Sequence, residues 1–303
     1  MSIFDKLVVH GLPLVPKFIV ERFARPYVAG STLDEAVKAI RSMMDEGAMA
    51  TVDILGEEVS DRSVATSYTN EYLEVFDAIA SERLDANVSI KPTMLGMKID
   101  EAFCAENIDA IAAKAAAADN FLRIDMEDHT TTDPTLRIYR TMAERYGGQH
   151  VGIVLQAYLR RNIDDINSLM DLRPNIRMCK GIYREPRGVA WGGFETIREN
   201  FTYSVEKLLR AGSYVGIATH DAHLVWAAMS LIDRLGLSRD RYEFQMLYGV
   251  DSELRRIILD GGHRLRVYVP FGKDWYPYSM RRLRENPTIA KNVLLAMLGK
   301  KTL

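Results

Sequence analysis

The chain has few cysteines and almost no net charge, and each shortage excludes a class of function. Cys104 and Cys179 are the two cysteines among 303 residues, and their wide separation lacks the spacing of a metal site. The sequence therefore predicts reduced, packed thiols and a cytoplasmic protein. Lys and Arg number 39 against 41 Asp and Glu, for a net charge of -2. Without the broad basic field that neutralises phosphates, no nucleic-acid partner is expected.

Long hydrophobic runs and nucleotide-binding fingerprints are also missing. The most apolar early stretch, Leu7 to Val20, is interrupted by Pro13 and Pro16, and no run reaches the roughly 18 to 20 residues that span a bilayer. Neither a signal peptide nor a transmembrane helix is expected. The sequence contains no GxGxxG and no phosphate loop, which removes support for a Rossmann or P-loop domain. A flavin bound in a barrel remains open.

What the chain does contain is an alternation of short β-rich runs with longer helical stretches. This pattern is typical of parallel strands joined by crossover helices. The runs cover residues 48–55, 87–91, 121–126, 150–156, 176–180, 214–219, 242–247 and 264–269. Each interval has room for a loop, a helix and a returning strand. The sequence therefore predicts an α/β protein with one (β/α)8 TIM-type barrel.

Helical periodicity sets the predicted domain organisation. Ile108, Ile111, Ala112 and Ala115 recur at helix spacing, as do the apolar residues between 201 and 209, and both stripes are predicted to face the barrel. Ser31 to Asp34 begins a capped helix before the first strand. We therefore predict an N-terminal helical arm over 1–46 and a catalytic barrel over 47–303.

Polar side chains lie at the ends of the predicted strands, where the active site of a barrel is built. They are Glu57, Lys91, Asp125, Gln156, Arg177, Lys180, Thr219, His220 and Tyr268. Any one of them could be a structural hydrogen-bonding residue. Their repeated position predicts one shared pocket.

Three local patterns leave alternatives open. Residues 125–129 have metal-ligand side chains, but successive strand residues point to opposite faces, so no metal is expected. Lys91 or Lys180 could form a Schiff base, which makes an aldolase-type enzyme the alternative. Arg281 and Arg282 share one face of the last helix with Tyr278 and Glu285. That face is either a solvated stripe or, beside the aromatic residues upstream, a carboxylate site.

Several segments, taken together and in order, resemble proline dehydrogenase. They are Leu155 to Tyr158, Arg177 to Tyr183, Ala218 to Asp221, Phe244 to Leu247, Tyr268 to Gly272, and the pair Arg281 and Arg282. The resemblance implies a distorted (β/α)8 barrel with a final helix over its mouth and non-covalently bound FAD. It further implies oxidation of L-proline to 1-pyrroline-5-carboxylate by hydride transfer from proline C5 to flavin N5. A quinone would then reoxidise the flavin.

The resemblance also implies roles for individual residues. The expected ligands of the proline carboxylate are Lys91, Arg281 and Arg282. The expected walls of the proline ring are Tyr183, Leu247 and Tyr268. The expected catalytic residues are Asp125, which holds Lys91 or Tyr268, and Arg177, near flavin N5. The remaining flavin-site residues are Met126, Gln156, Lys180, Gly181, Ile182, Thr219 and His220. Glu57 would close a gate with Arg281.

The implied partners are L-proline, a quinone and a separate pyrroline-5-carboxylate dehydrogenase. The enzyme is expected to be monofunctional, to catalyse the first step of proline catabolism to glutamate, and to be cytoplasmic with peripheral contact at the inner face of the cell membrane. A non-catalytic barrel that binds an amino acid is the third class of function the residues allow.

Overall fold

The computed structural model describes residues 25–56, 58–276 and 278–280. Eight parallel strands close into a barrel in chain order, and β8 pairs with β1. They are β1 (Met49–Ile54), β2 (Ala86–Ile90), β3 (Leu122–Ile124), β4 (Val151–Gln156), β5 (Asn175–Cys179), β6 (Tyr214–Ala218), β7 (Tyr242–Leu247) and β8 (Leu265–Phe271). The predicted (β/α)8 barrel is confirmed. β3 is shorter than predicted, so Asp125 and Met126 lie in the loop that follows it.

Helices cover the outside of the barrel. They are α1 (Leu33–Asp45), α2 (Arg62–Ser81), α3 (Glu101–Ala117), α4 (Thr132–Tyr146), α5 (Asn162–Leu169), α6 (Phe194–Arg210), α7 (Ala222–Leu235) and α8 (Ser252–Asp260). Helix α1 is the capped helix that the sequence predicts. The Thr32 side chain accepts from the backbone N–H of Glu35, and the Glu35 carboxylate accepts from the backbone N–H of Thr32. The helix packs against β1 and β8, which holds residues 33–45 against the barrel wall.

Both predicted apolar stripes are buried against the strands. Ile108, Ile111, Ala112 and Ala115 are fully buried on α3, and the stripe on α6 is buried as well. The strands are apolar on their outer face, as expected for parallel strands covered by helices. Cys104 is a buried free thiol, and the free thiol of Cys179 is half-buried. In the part of the chain that the structure describes, no helix combines the length and apolarity needed to cross a membrane.

The barrel interior contains an ionic layer that the sequence did not predict. Glu243 Oε1 on β7 accepts a hydrogen bond from Arg266 Nε on β8 at 2.8 Å, and Tyr214 OH donates to Glu243 Oε2 at 2.9 Å. Burial alone would raise the pKa of Glu243, but the charge and hydrogen bond of Arg266 lower it to about 2. Because alternate strand residues share a face, Glu243 lies directly below Gln245. This layer therefore supports the polar residues at the carboxyl end of the barrel.

Candidate active site

A cavity of about 280 Å³ opens at the carboxyl ends of the strands. Every predicted site residue that the structure describes lines it. These residues are Lys91, Asp125, Met126, Gln156, Arg177, Lys180, Gly181, Ile182, Tyr183, Thr219, His220, Leu247 and Tyr268. Glu57, Arg281 and Arg282 lie outside the described residues, as do the predicted gate and most of the final helix. The cavity also has lining residues that sequence reasoning missed, namely Val154, Cys179, Ala218, Gln245 and Met246.

Asp125 joins three other strands at the floor of the cavity. Its Oδ1 accepts from Ser89 Oγ at 2.7 Å and from Arg177 Nη1 at 2.8 Å. Its Oδ2 accepts from Tyr268 OH at 3.1 Å. Burial raises the pKa of Tyr268 well above its usual range, so the phenol keeps its proton and acts as the donor. Asp125 therefore fixes the side chains of both Arg177 and Tyr268 in the cavity wall.

Arg177 is held on two sides. Its Nε donates to Gln245 Oε1, and its Nη1 donates to Ser89 Oγ at 3.0 Å as well as to Asp125. Gln245 in turn donates from Nε2 to Glu243 Oε1 at 2.6 Å. The guanidinium carbon lies 5.3 Å from the centroid of the Tyr268 ring. The interior ionic layer therefore reaches the cavity through Gln245 and sets the orientation of Arg177.

The Lys91 ammonium is bound by Asp53, a residue that sequence reasoning missed. Lys91 Nζ lies 2.6 Å from Asp53 Oδ2 and 3.4 Å from Tyr268 OH. Asp125 accepts a hydrogen bond from Tyr268, one of the two residues it was predicted to hold, whereas Asp53 on β1 lies beside the Lys91 head group and accepts from it. Burial raises the pKa of Asp53, although the charge of Lys91 opposes this rise. In the sequence, only the position of Asp53 within the first β-rich run, on its inward-facing side, could have indicated this contact.

The acidic segment 125–129 has structural partners rather than a common centre. Asp125 contacts the cavity, whereas Glu127 accepts from Thr93 N at 2.9 Å and from Thr93 Oγ1 at 2.7 Å. His129 pairs with Glu185. Within residues 25–56, 58–276 and 278–280, no group of three or more His, Cys, Asp or Glu is arranged to hold a metal ion.

The side of the cavity formed by β4 to β6 presents groups suited to a polar ring system. Gln156 Nε2 donates to the carbonyl of Glu127 at 2.7 Å. The buried Oε1 of Gln156 has no hydrogen-bond partner within the described part of the chain. A bound ring with an N–H group would supply the missing donor. His220 Nε2 accepts from the backbone N–H of Leu247 at 2.9 Å. This bond leaves Nδ1 as the protonated ring nitrogen of a neutral His220.

Lys180 forms an ion pair at the outer edge of the cavity. Its Nζ lies 3.2 Å from Asp221 Oδ2, and Arg198 Nη2 lies 2.8 Å from Asp221 Oδ1. Burial would raise the pKa of Asp221, but hydrogen bonds from Arg198 and Lys180 lower it to about 2. A second cavity adjoins this ion pair and shares Lys180, Thr219 and His220 with the first. The shared lining residues show that the two cavities lie side by side.

Gly181 makes a close approach that no other residue can make. It has φ +104°, and a Cβ there would lie 2.1 Å from the Tyr158 ring. We expect Gly181→Ala to displace the loop that carries Lys180 and Ile182, and to lower the content in the purified protein of the FAD that the resemblance implies. Gly188→Ala is the matched control, since a Cβ there meets nothing within 4 Å. Equal cofactor content in the two variants would show that the loop does not shape the site.

Comparison with known proteins gives one consistent family. The family model described as "Proline dehydrogenase" matches residues 36–185 and 190–294. The proline dehydrogenase of Deinococcus radiodurans is 37% identical over 278 residues, covering 91% of this chain and 90% of that protein. Proline dehydrogenase 1 of Bacillus subtilis is 36% identical over 277 residues, covering 91% of each.

A solved structure agrees in fold. Proline utilization A from Bdellovibrio bacteriovorus, in a crystal structure of the protein inactivated by N-propargylglycine, superposes with a TM-score of 0.83 at 25% identity. The match covers 88% of this chain and 33% of that chain, so this chain spans about a third of the larger protein.

Proposed function

This chain belongs to the proline dehydrogenase family, and from that premise we propose that it catalyses the FAD-dependent oxidation of L-proline to 1-pyrroline-5-carboxylate. A bound flavin would accept the hydride that leaves proline C5, the proline nitrogen would lose a proton as the C=N bond forms, and a quinone would reoxidise the flavin. The observation that carries the proposal is the convergence of Lys91, Asp125, Arg177 and Tyr268 at one cavity, at the carboxyl end of the barrel, where the active sites of such barrels lie.

The cavity residues fit a bound flavin. The unpartnered Oε1 of Gln156 is an acceptor for a ring N–H, and Arg177 and Lys180 provide positive charge on the same wall. Positive charge beside the ring favours an anionic reduced form. We assign flavin contacts to Met126, Gln156, Arg177, Lys180, Gly181, Ile182, Thr219 and His220. The adjoining second cavity offers room for the nucleotide part of FAD.

Other lining residues of the cavity suit a small cyclic amino acid. Tyr183, Leu247 and Tyr268 provide a largely apolar enclosure beside the Lys91 ammonium. We propose that Lys91, together with Arg281 and Arg282, binds the proline carboxylate. Anchoring the carboxylate would fix the distance and angle between proline C5 and the flavin. Holding two reacting groups in such a geometry raises the reaction rate. Asp125 holds Tyr268 and Arg177 in this arrangement.

The absorption spectrum of the purified protein tests this proposal against the aldolase alternative. We expect a bound flavin whose visible bands bleach when L-proline is added without oxygen. Pyrrolidine, the same ring without the carboxylate, is the control and should bleach the flavin far more slowly. Borohydride trapping of a substrate on Lys91 or Lys180, with no flavin bound, would instead support the aldolase. Both amines are engaged by carboxylates, whereas a Schiff base requires a neutral amine.

The wider setting follows from the same proposal. We propose a quinone as the electron acceptor, and because quinones reside in membranes we also propose a cytoplasmic enzyme with peripheral contact at the inner face of the cell membrane. The product is consumed by a separate pyrroline-5-carboxylate dehydrogenase, so this chain supplies the first step of proline catabolism to glutamate.

A further inference from the structure

We propose that Asp53 is a positioning residue for substrate binding, which holds the Lys91 ammonium where it meets the substrate carboxylate. The inference rests on the proposed function and extends it to a residue outside the cavity lining. Asp53 lies behind Lys91 and does not line the cavity. Asp53 has no exposed surface, and the Lys91 side chain is 13% exposed. The pair therefore has a buried end and an end that reaches the cavity.

The barrel register brings the two residues together. Asp53 is opposite Ser89 of β2 and Pro270 of β8, so its backbone is held on both sides. Lys91 directly follows β2, and side chains two residues apart on a strand share a face. Ser89 and Lys91 therefore both point inward, next to Asp53.

Both ends of the Lys91 side chain are fixed. At the backbone end, Glu127 accepts two hydrogen bonds from Thr93 and so anchors the turn Pro92–Leu95 that follows Lys91. At the ammonium end, both carboxylate oxygens of Asp53 accept from Nζ. A lysine side chain is otherwise flexible, so this arrangement removes the ordering cost that would accompany substrate binding.

The geometry leaves one ammonium donor for the substrate. An ammonium group has three N–H donors. Two point to Asp53, and among the residues that the structure describes the third has only a long contact of 3.4 Å to Tyr268 OH. A substrate carboxylate in the cavity would take this third donor. Asp53 thereby sets the direction in which Lys91 presents its charge.

A buried ion pair is weak support for stability, because desolvation of both charges offsets their attraction. Alternate residues of β1 share a face, so Asp53 points into the barrel interior with Thr51, away from the helix-covered side of Val52 and Ile54. There its charge is buried and meets the Lys91 ammonium rather than solvent. The pairing with a cavity-lining lysine is therefore better explained by control of the Lys91 head group.

The test measures ligand affinity of the flavin-loaded protein by changes in flavin absorbance. The probes are tetrahydrofuran-2-carboxylate, which resembles proline but lacks the amine, and tetrahydrofuran, which also lacks the carboxylate. We expect Asp53→Asn to raise the Kd of the carboxylate by about tenfold or more, the size of a lost charge-assisted hydrogen bond. The Kd of tetrahydrofuran should change by less than about twofold.

A double-mutant cycle separates positioning from a general structural effect. If Asp53 acts through Lys91, adding Asp53→Asn to Lys91→Met should leave the ratio of the two Kd values within about twofold of that for Lys91→Met alone. Should Asp53→Asn fail to fold, Asp53→Glu keeps the charge and displaces it by one methylene. That variant should also weaken binding of the carboxylate selectively.

Equal weakening of both probes by Asp53→Asn would show a merely structural role and overturn the proposal. Unchanged or tighter binding of the carboxylate would overturn it as well, since Asp53 would then compete with the substrate for Lys91. The proposed function would instead be contradicted if the wild-type protein did not bind tetrahydrofuran-2-carboxylate more tightly than tetrahydrofuran and its flavin were not bleached by proline.

Discussion

Replacement of Arg177 by methionine should slow reduction of the bound flavin by L-proline by about 100-fold or more, the size expected when a preorganised charge is removed from a reacting centre. The structure gives the reason. Arg177 is held by Asp125, Ser89 and Gln245, so its charge is fixed before the substrate enters. Methionine fills similar space without charge. Rapid mixing of the flavin-loaded variant with saturating L-proline, without oxygen, measures the limiting rate directly.

The control for this variant is Arg256→Met on the exposed face of α8. It removes the same charge from the protein far from the cavity and should reduce flavin at the wild-type rate. If Arg177→Met binds flavin normally and is reduced as fast as the control, Arg177 has no role in the reaction.

Replacement of Glu243 by alanine should lower the free energy of unfolding by about 3 to 5 kcal/mol, because a buried partner is removed and the other charge stays behind. The charge left without its partner is that of Arg266, which is buried beside Glu243. Urea unfolding measures this loss, and the m value, which is the slope of the unfolding free energy against urea concentration, should stay unchanged. Glu253→Ala, at an exposed position of α8, should stay within about 0.5 kcal/mol of wild type.

The same ion pair predicts the sign of a pH effect. Arg266 holds the pKa of Glu243 at about 2 in the folded protein, against about 4.3 in an unfolded chain. The ionised Glu243 therefore stabilises the fold fully at pH values above the pKa of the unfolded chain. That contribution is lost as the pH falls through about 2. The difference in stability between wild type and Glu243→Ala should therefore narrow between about pH 4.5 and pH 2. A constant difference over this range would contradict the assigned ionisation of Glu243.

The fold was largely predictable because parallel barrel strands leave a strong local pattern. Runs such as 150–156 and 242–247 are short, β-rich and separated by helical stretches, and each became a strand. The strand ends likewise indicated the cavity, since residues such as Gln156 and Tyr268 needed only the barrel topology to converge. The roles of these residues came from the resemblance and remain predictions.

What the sequence did not predict depends on register between strands. The contact of Asp53 with Lys91 requires β1 and β2 to align Asp53 with Ser89, and local periodicity does not contain that information. Gln245 and Glu243 were missed for the same reason, because their partners Arg177 and Arg266 lie on other strands. Buried polar pairs of this kind are determined by long-range alignment, whereas strand and helix positions are determined locally.

The central claim is that this cavity oxidises L-proline at C5 with a bound flavin. The most direct measurement compares anaerobic flavin reduction by L-proline and by L-proline deuterated at C5, both at saturating concentration. The account predicts complete bleaching with both and a slower limiting rate with the deuterated substrate, because the C5–H bond breaks as the flavin is reduced. A flavin that is not bleached, or identical rates with the two substrates, would contradict it.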